Sequence, residues 1–258
     1  MDYQTITLKI NEGVGVVTLN RPDVMNALNA QMRREITHAI KAAEAQARCI
    51  VLTGEGRSFC SGQDLSDGGS AATLDMEGTL RDEYVPMLKA IFDCKVPTIS
   101  AVNGPAAGAG ANLALAADVV IASEDAFFLQ AFTRIGLIPD AGGTYWLPRQ
   151  IGSARAMGAA LFADKVTATQ AVEWGMIYEA KPAAEFADYW QMRAQSLAQG
   201  PTATYQHLKT AIRSSYDNTL DEQLALEAKL QGKCGVTHDF VEGVTAFLEK
   251  RPAAFKGQ

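Results

Sequence analysis

The sequence has few of the residues that build metal sites and disulfide frameworks. Its 258 residues include only 4 cysteines and 3 histidines. The cysteines form no CxxC pair, and the histidines form no cluster; these residues are Cys49, Cys60, Cys94, Cys234, His38, His207 and His238. Zinc sites and disulfide frameworks need ligands or thiols in recognisable spacings. We therefore expect free thiols and no bound metal.

Positive charge and long apolar runs are also scarce. The chain carries 23 Lys and Arg against 29 Asp and Glu, which gives a net charge of −6. Proteins that bind nucleic acid usually have a basic surface at the binding site. No apolar run approaches the roughly 20 residues that cross a bilayer, and the first residues lack a secretion-signal pattern. We expect a cytoplasmic protein that binds neither nucleic acid nor membranes. With 48% hydrophobic residues, it can bury the core of a large α/β domain.

Strand and helix patterns alternate in the first half of the chain. Two β-rich segments, 5–10 and 14–19, flank Asn11-Glu12-Gly13 and predict a hairpin. Apolar residues spaced for a helix follow Asn29, a favourable cap, and predict a helix over 30–45. Further strands are predicted at 49–53, 98–102 and 119–123, and further helices at 78–93 and 108–117. The alternation indicates an α/β fold with a largely parallel sheet.

The second half has no strand pattern after Thr144, and we expect its last third to be wholly helical. Residues 167–170 form a capping box for a helix that ends at Gly175. The other predicted helices are 153–162, 184–200, 202–214, 219–232 and 238–249. Residues 61–77, which contain Gly68-Gly69-Ser70, show no periodicity and predict a mobile loop.

Three glycine-containing loops follow predicted strands, where open α/β sheets bind ligands. They are 58–64, 103–110 and 139–143. Small residues in the second loop either let a ligand oxygen reach free backbone amides, as in an oxyanion hole, or pack the helix closely on the sheet. The residues alone leave both readings open. Position 113 is Leu, so the loop lacks the third glycine of a dinucleotide-binding fingerprint.

The turn 135–144 presents one carboxylate, Asp140, between a hydrophobic run and a predicted helix. Asp is common in turns and at helix caps, so a capping role is one reading of this residue. An acid/base role is the other. It requires burial to raise the pKa from its ordinary value near 3.9, and Phe132 and the apolar segment 127–129 are near enough in sequence to provide it.

Four motifs in order resemble the crotonase (enoyl-CoA hydratase/isomerase) superfamily along essentially the full chain. They are 19–22 with 26–28, 59–65, 103–110 and 135–144. The resemblance implies a crotonase-like ββα spiral core over 1–195 and a helical C-terminal trimerisation region over 196–258. It also implies an acyl-CoA thioester substrate, whose carbonyl oxygen is held by the backbone amides of Gln63 and Ala109. Coenzyme A is then part of the substrate, and no separate cofactor is expected.

The resemblance extends to residues around the substrate and to assembly. The positions expected to contact the acyl group or coenzyme A are Arg21, Ser61, Gly62, Asp64, Gly108, Gly110, Phe132 and Lys250. The family's assembly implies a homotrimer or a dimer of trimers, alone or with a hydratase partner.

The sequence departs from the hydratase pattern at two positions. Hydratases of this family use two glutamates, and the matching positions here are Asn112 and Phe132, neither of which exchanges a proton at neutral pH. Hydration needs a group that activates water, whereas one base can shift a double bond by moving a proton. Asp140 stands where several isomerases of the family carry an acidic residue, so the resemblance favours an isomerase with Asp140 as acid/base.

Within the family, the turn 135–144, with 146–149 and 173–177, most resembles the ring 1,2-epoxyphenylacetyl-CoA isomerases of phenylacetate breakdown, which form an oxepin. The expected reaction is that ring isomerisation or an enoyl-CoA double-bond shift. Three alternatives stay open. They are an enoyl-CoA hydratase, an aryl-CoA dehalogenase with Asp140 as nucleophile, and a non-catalytic acyl-CoA-binding subunit. The dehalogenase branch pairs its Asp with His and Trp, and Phe132 stands at the Trp position.

Overall fold

The computed structural model describes residues 2–67 and 75–258. Its strands form a six-stranded sheet in the order β1-β2-β3-β4-β6-β9 and a three-stranded sheet in the order β5-β7-β8. In the larger sheet, β1 and β2 are antiparallel and the other neighbours are parallel. The strands are β1 Ile6–Asn11, β2 Val14–Leu19, β3 Cys49–Gly54, β4 Thr98–Val102, β5 Ala106–Ala107, β6 Val119–Ser123, β7 Phe127–Leu129, β8 Lys165–Thr167 and β9 Glu179–Lys181.

Helices surround the sheets and account for most of the C-terminal part. They are α1 Ala30–Glu44, α2 Met76–Thr79, α3 Val85–Phe92, α4 Ala109–Leu115, α5 Gly143–Phe162, α6 Ala168–Glu173, α7 Ala183–Ala198, α8 Thr202–Ser214, α9 Leu220–Cys234 and α10 His238–Glu249. A π-helical turn, Leu80–Tyr84, joins α2 to α3, and a 3₁₀ helix, Ala131–Ile135, follows β7. None of the described helices combines the length and the apolar character that crossing a membrane requires.

The two faces of the larger sheet are buried against different helices. Side chains alternate across a strand, so Ile50 and Leu52 of β3 join one apolar cluster with α1 and α3, while Val51 joins another with Phe186 of α7. This double burial explains why the central strands are apolar throughout. The predicted hairpin, the three longer strands and the α/β fold class are confirmed.

The prediction that strands end after Thr144 is wrong, because β8 and β9 lie beyond it. Each has only three residues, too few for an alternating pattern, and each is held by pairing with a distant partner. β8 pairs with β7, and β9 extends the larger sheet beside β6. The last third is therefore not wholly helical.

Two helices begin earlier than predicted. α5 starts at Gly143 rather than 153, and Gly152, with φ +76°, kinks it, so the sequence pattern shows only its second half. The helix predicted over 78–93 starts at Met76 and passes through the π-helical turn, where Val85 donates to the Leu80 carbonyl immediately before Pro86. The loop predicted over 61–77 lies partly outside the described residues, and this includes Gly68-Gly69-Ser70.

Half-buried charges anchor helix α8 to the sheet. Asp118 accepts hydrogen bonds from the Thr98 backbone amide and hydroxyl, and its carboxylate pairs with Lys209 and Arg213 of α8 at 2.7 and 2.6 Å. Lys209 also donates to two backbone carbonyls after α3. The boundary at residue 195 between core and C-terminal region stays a prediction.

Candidate active site

A cavity of about 620 Å³ lies beyond the carboxyl ends of β3 and β4. It is formed by the loops after these strands, by the segment 76–84, by the 3₁₀ helix and by the turn before α5. Most of its wall is apolar, as expected for a small-molecule site. Its lining residues are Ser61, Gly62, Gln63, Leu65, Asp67, Met76, Thr79, Leu80, Tyr84, Gly108, Ala109, Ala131, Phe132, Arg134, Ile135, Leu137 and Asp140.

The amides of Gln63 and Ala109 are placed by the pairing of their two loops. Cys60 and Ala106 form a parallel bridge, and the Ala107 amide donates to the Cys60 carbonyl at 2.9 Å. Gln63 and Ala109 each lie three residues beyond that bridge in the same direction. Within the described residues, neither backbone amide donates a hydrogen bond. An oxyanion hole requires two such free amides, so the structure leaves both predicted donors available for that role.

Gly62 is required where the two loops meet. Its φ is +98°, a left-handed conformation that other residues rarely adopt. A Cβ atom at this position would lie 2.8 Å from the Ala107 carbonyl oxygen and 3.4 Å from the Ala109 nitrogen. The close approach shows that the loop around Gly62 lies directly against the start of α4.

Asp140 is half-buried in the cavity wall, and burial raises the pKa of its carboxyl from 3.8 to about 6. Its Oδ1 atom is buried and has no hydrogen-bond partner among the described residues. The helix that follows, α5, begins after Gly142 without a side-chain cap. Asp140 therefore does not cap α5, and the hydrogen bond that opposes the raised pKa comes from its own backbone amide.

Asn112, at one of the hydratase glutamate positions, supports the Asp140 turn. Its Nδ2 donates to the Asp140 carbonyl at 2.7 Å and to Gln130 Oε1 at 3.2 Å, and Gln130 Nε2 donates back at 2.9 Å. A Cβ on Gly143 would lie 2.4 Å from this amide nitrogen. The Asn112 side chain is fully buried, and its hydrogen bonds hold the turn that carries Asp140. Its position in the sequence did not reveal this role.

This packing predicts the outcome of restoring a glutamate. Asn112→Glu inserts a methylene and a charge where the structure has no room, so we expect it to lower the free energy of unfolding by about 2–4 kcal/mol. We also expect no gain in hydration of crotonyl-CoA. Urea unfolding and a hydration assay test both expectations. A stable variant that gains hydratase activity would show that this position is open to the cavity.

Arg21 and Asp64 form an ion pair outside the cavity lining. The Arg21 guanidinium donates to Asp64 at 2.8 Å and to the Ala27 carbonyl at 2.6 Å. Hydrogen bonds from Ser66 and Arg21 hold the pKa of the Asp64 carboxyl below its ordinary value, against the effect of burial. The pair joins the loop after β3 to the segment after β2, a positioning role for the Gln63 loop.

The structure therefore divides the predicted site residues into two groups. Those in the cavity lining are Ser61, Gly62, Gln63, Gly108, Ala109, Phe132 and Asp140. Arg21, Asp64 and Gly110 lie outside the lining, and Lys250 follows α10 in the C-terminal segment. Tyr84 and Arg134 line the cavity without having been predicted, because the π-helical turn and the 3₁₀ helix that carry them have no clear sequence pattern.

The chain is similar to known proteins over nearly its full length. Residues 9–258 match the family profile described as enoyl-CoA hydratase/isomerase. A Rhodobacter capsulatus protein named probable enoyl-CoA hydratase is 59% identical over the whole of both chains. The 1,2-epoxyphenylacetyl-CoA isomerase of Escherichia coli is 45% identical over 96% of this chain and 97% of its own. A crystal structure of enoyl-CoA hydratase from Bacillus anthracis, 29% identical, superposes with a TM-score of 0.91 over 99% of this chain and 100% of its own.

Proposed function

Because the chain belongs to the enoyl-CoA hydratase/isomerase family of the crotonase superfamily, we propose that it is a CoA-thioester isomerase with Asp140 as its acid/base. The observation that carries the proposal is the half-buried Asp140 carboxylate, which has a raised pKa and an unpaired oxygen in the cavity wall. The hydratase glutamate positions hold Asn112 and Phe132 instead. One carboxylate suffices to move a proton between two carbons of a substrate.

The amides of Gln63 and Ala109 supply the electrostatic part of the mechanism. When a proton leaves the carbon next to a thioester carbonyl, negative charge moves onto the carbonyl oxygen. Two donors fixed in position stabilise that enolate more than the neutral substrate, and this difference lowers the barrier. Asp140 takes the proton from one carbon and returns it to another, so the atoms of the product equal those of the substrate.

The acyl group that we propose is the ring 1,2-epoxide of phenylacetyl-CoA, with enoyl-CoA double-bond shifts as a further reaction of the same site. The wide cavity with Phe132, Leu80 and Leu137 in its wall suits a ring. The 45% identity to the Escherichia coli isomerase supports the same acyl group. Neither reaction consumes water or requires a separate cofactor.

Hydration is the second candidate, since the relative with 59% identity is named probable enoyl-CoA hydratase. The two reactions separate by mass. We would incubate the protein with 2-enoyl-, 3-enoyl- and 1,2-epoxyphenylacetyl-CoA, in water and in heavy water, and analyse the products by mass spectrometry. Isomerisation leaves the mass unchanged in water, and in heavy water deuterium enters wherever the Asp140 carboxyl exchanges its proton with solvent before returning it. Addition of one water molecule without isomerisation would replace this proposal by hydration.

The pH profile provides a prediction for the role of Asp140. The carboxyl must be ionised to accept a proton, so we expect kcat/KM to rise about tenfold per pH unit below pH 6 and to level off above it. The expected midpoint is the raised pKa of about 6. Initial rates at low substrate concentration between pH 4.5 and about 8 measure the profile. A profile that stays level across this range would put the midpoint near the ordinary value of 3.8, and this result would contradict the expected raised pKa.

A further inference from the structure

A buried phenol, Tyr84, shares the cavity with Asp140. It ends the π-helical turn Leu80–Tyr84, is 3% exposed and lines the cavity. Single π turns inside helices are frequent at functional sites, because they displace one side chain from its α-helical register. The Tyr84 hydroxyl donates to Oε1 of Gln63, the residue whose backbone amide belongs to the proposed oxyanion hole.

The hydrogen bond between Tyr84 and Gln63 is not needed to satisfy Gln63. The same Oε1 atom accepts a second hydrogen bond, from Nη1 of Arg33 at 2.9 Å. Arg33 is itself buried and fixed, since it pairs with Glu83 at 2.6 Å and donates to the Leu28 carbonyl at 2.8 Å. If the Tyr84 proton turned towards a ligand, the Gln63 oxygen would keep one donor, Arg33. Redirecting this proton therefore leaves no orphaned acceptor.

Tyr84 acts as a donor and not as a base. Burial raises the pKa of its phenol well above the ordinary value of 10.0, an effect that the positive charge of Arg33 opposes and the negative charge of Asp140 reinforces. The phenol therefore stays neutral near pH 6, where the Asp140 carboxyl ionises. Much of the surrounding wall is apolar, including Leu80, Leu137 and Phe132.

We propose that Tyr84 is a specificity residue that donates its hydroxyl proton to an oxygen atom carried by the acyl group. The inference rests on the proposed function, because it concerns the same cavity, and it narrows the substrate class. The favoured acyl groups carry an epoxide or hydroxyl oxygen on the ring, and purely hydrocarbon acyl groups bind less well. A site that offers a hydrogen bond discriminates against the analogue that lacks the matching oxygen.

The test compares two unreactive ligands that differ by one oxygen, 2-hydroxyphenylacetyl-CoA and phenylacetyl-CoA. We expect the wild-type protein to bind the hydroxylated ligand about tenfold more tightly by calorimetry. In Tyr84→Phe, the two dissociation constants are expected to agree within about twofold. Tyr189→Phe is the matched control, since its hydroxyl donates to Glu179, away from the cavity, and we expect it to keep the wild-type ratio.

Three outcomes would overturn the inference. They are equal wild-type affinities for the two ligands, an unchanged ratio in Tyr84→Phe, and an equal loss of affinity for both, which would make Tyr84 only a support for Gln63. Equal wild-type affinities would overturn the inference without any variant, so it stays falsifiable if Tyr84→Phe does not fold. Failure of the proposed isomerase function would give a different result. The protein would show the binding preference but would not turn over any of the tested substrates.

Discussion

Replacement of Asp140 by Asn is expected to lower isomerase turnover by about 10³-fold while the protein still binds acyl-CoA, because general acid/base catalysis contributes about 10²–10⁴-fold. Asn has nearly the shape of Asp but cannot accept the substrate proton. The Oδ1 atom of Asp140 has no partner among the described residues, so the substitution breaks no hydrogen bond at that atom. Initial rates with 1,2-epoxyphenylacetyl-CoA and 3-enoyl-CoA provide the measurement.

The fold of this variant can be checked through its stability. The Asp140 carboxyl has a higher pKa in the folded protein, about 6, than its ordinary 3.8, so the native state holds the proton more tightly. The contribution of the protonated Asp140 carboxyl to wild-type stability is therefore lost as pH rises through this interval. We expect Asp140→Asn to unfold with a free energy about 1–2 kcal/mol higher above pH 6, after allowance for contact with solvent, and to show no gain below pH 3.8.

The control for the activity loss is an exposed carboxylate, Asp164, which follows α5 and lies outside the cavity lining. Asp164→Asn should retain turnover within about threefold of wild type. Affinity of Asp140→Asn for phenylacetyl-CoA should also stay within about threefold. Mass spectrometry of the variant must exclude deamidation back to Asp. Near-normal turnover by intact Asp140→Asn would refute its role as the acid/base.

The parts of the fold that the sequence predicted are those with strong local patterns. The hairpin β1-β2 has two alternating strands around a glycine turn, and α1 has a cap at Asn29 and a continuous apolar stripe. Strands β8 and β9 have neither, because pairing with distant strands holds three residues in place. For such short segments, tertiary contacts outweigh local preference.

The candidate site shows the same division between local and tertiary information. Asp140 and the glycine loops were found because turns and close approaches demand particular residues. The roles of Asn112 and Tyr84 depend on which side chains surround them. Asn112 supports the Asp140 carbonyl across 28 positions, and Tyr84 contacts Gln63 across 21. Neither separation has a periodicity that a sequence pattern could show.

The tight contact between α4 and the loop after β3 provides the second large expected effect. A Cβ on Gly110 would lie 2.4 Å from the Cys60 carbonyl oxygen and 2.7 Å from its Sγ. The same carbonyl accepts a hydrogen bond from the Ala107 amide, and this pairing holds together the two loops that carry Gln63 and Ala109. Gly110→Ala is therefore expected to destabilise the fold by about 3 kcal/mol, because the backbone of a buried loop must move.

We expect Gly110→Ala to lose more turnover than the loss of folded protein alone would cause. Loss of one oxyanion donor costs about 10²–10³-fold in kcat, and we expect a loss of that size at a temperature where the variant is folded. Gly158→Ala is the matched control: its Cβ meets no atom within 4 Å in α5, so it should gain about 0.5–1 kcal/mol and keep its turnover. Calorimetric unfolding and initial rates test both variants. Normal turnover by folded Gly110→Ala would contradict this prediction. It would show that the Cys60–Ala107 pairing does not control the positions of the two amides.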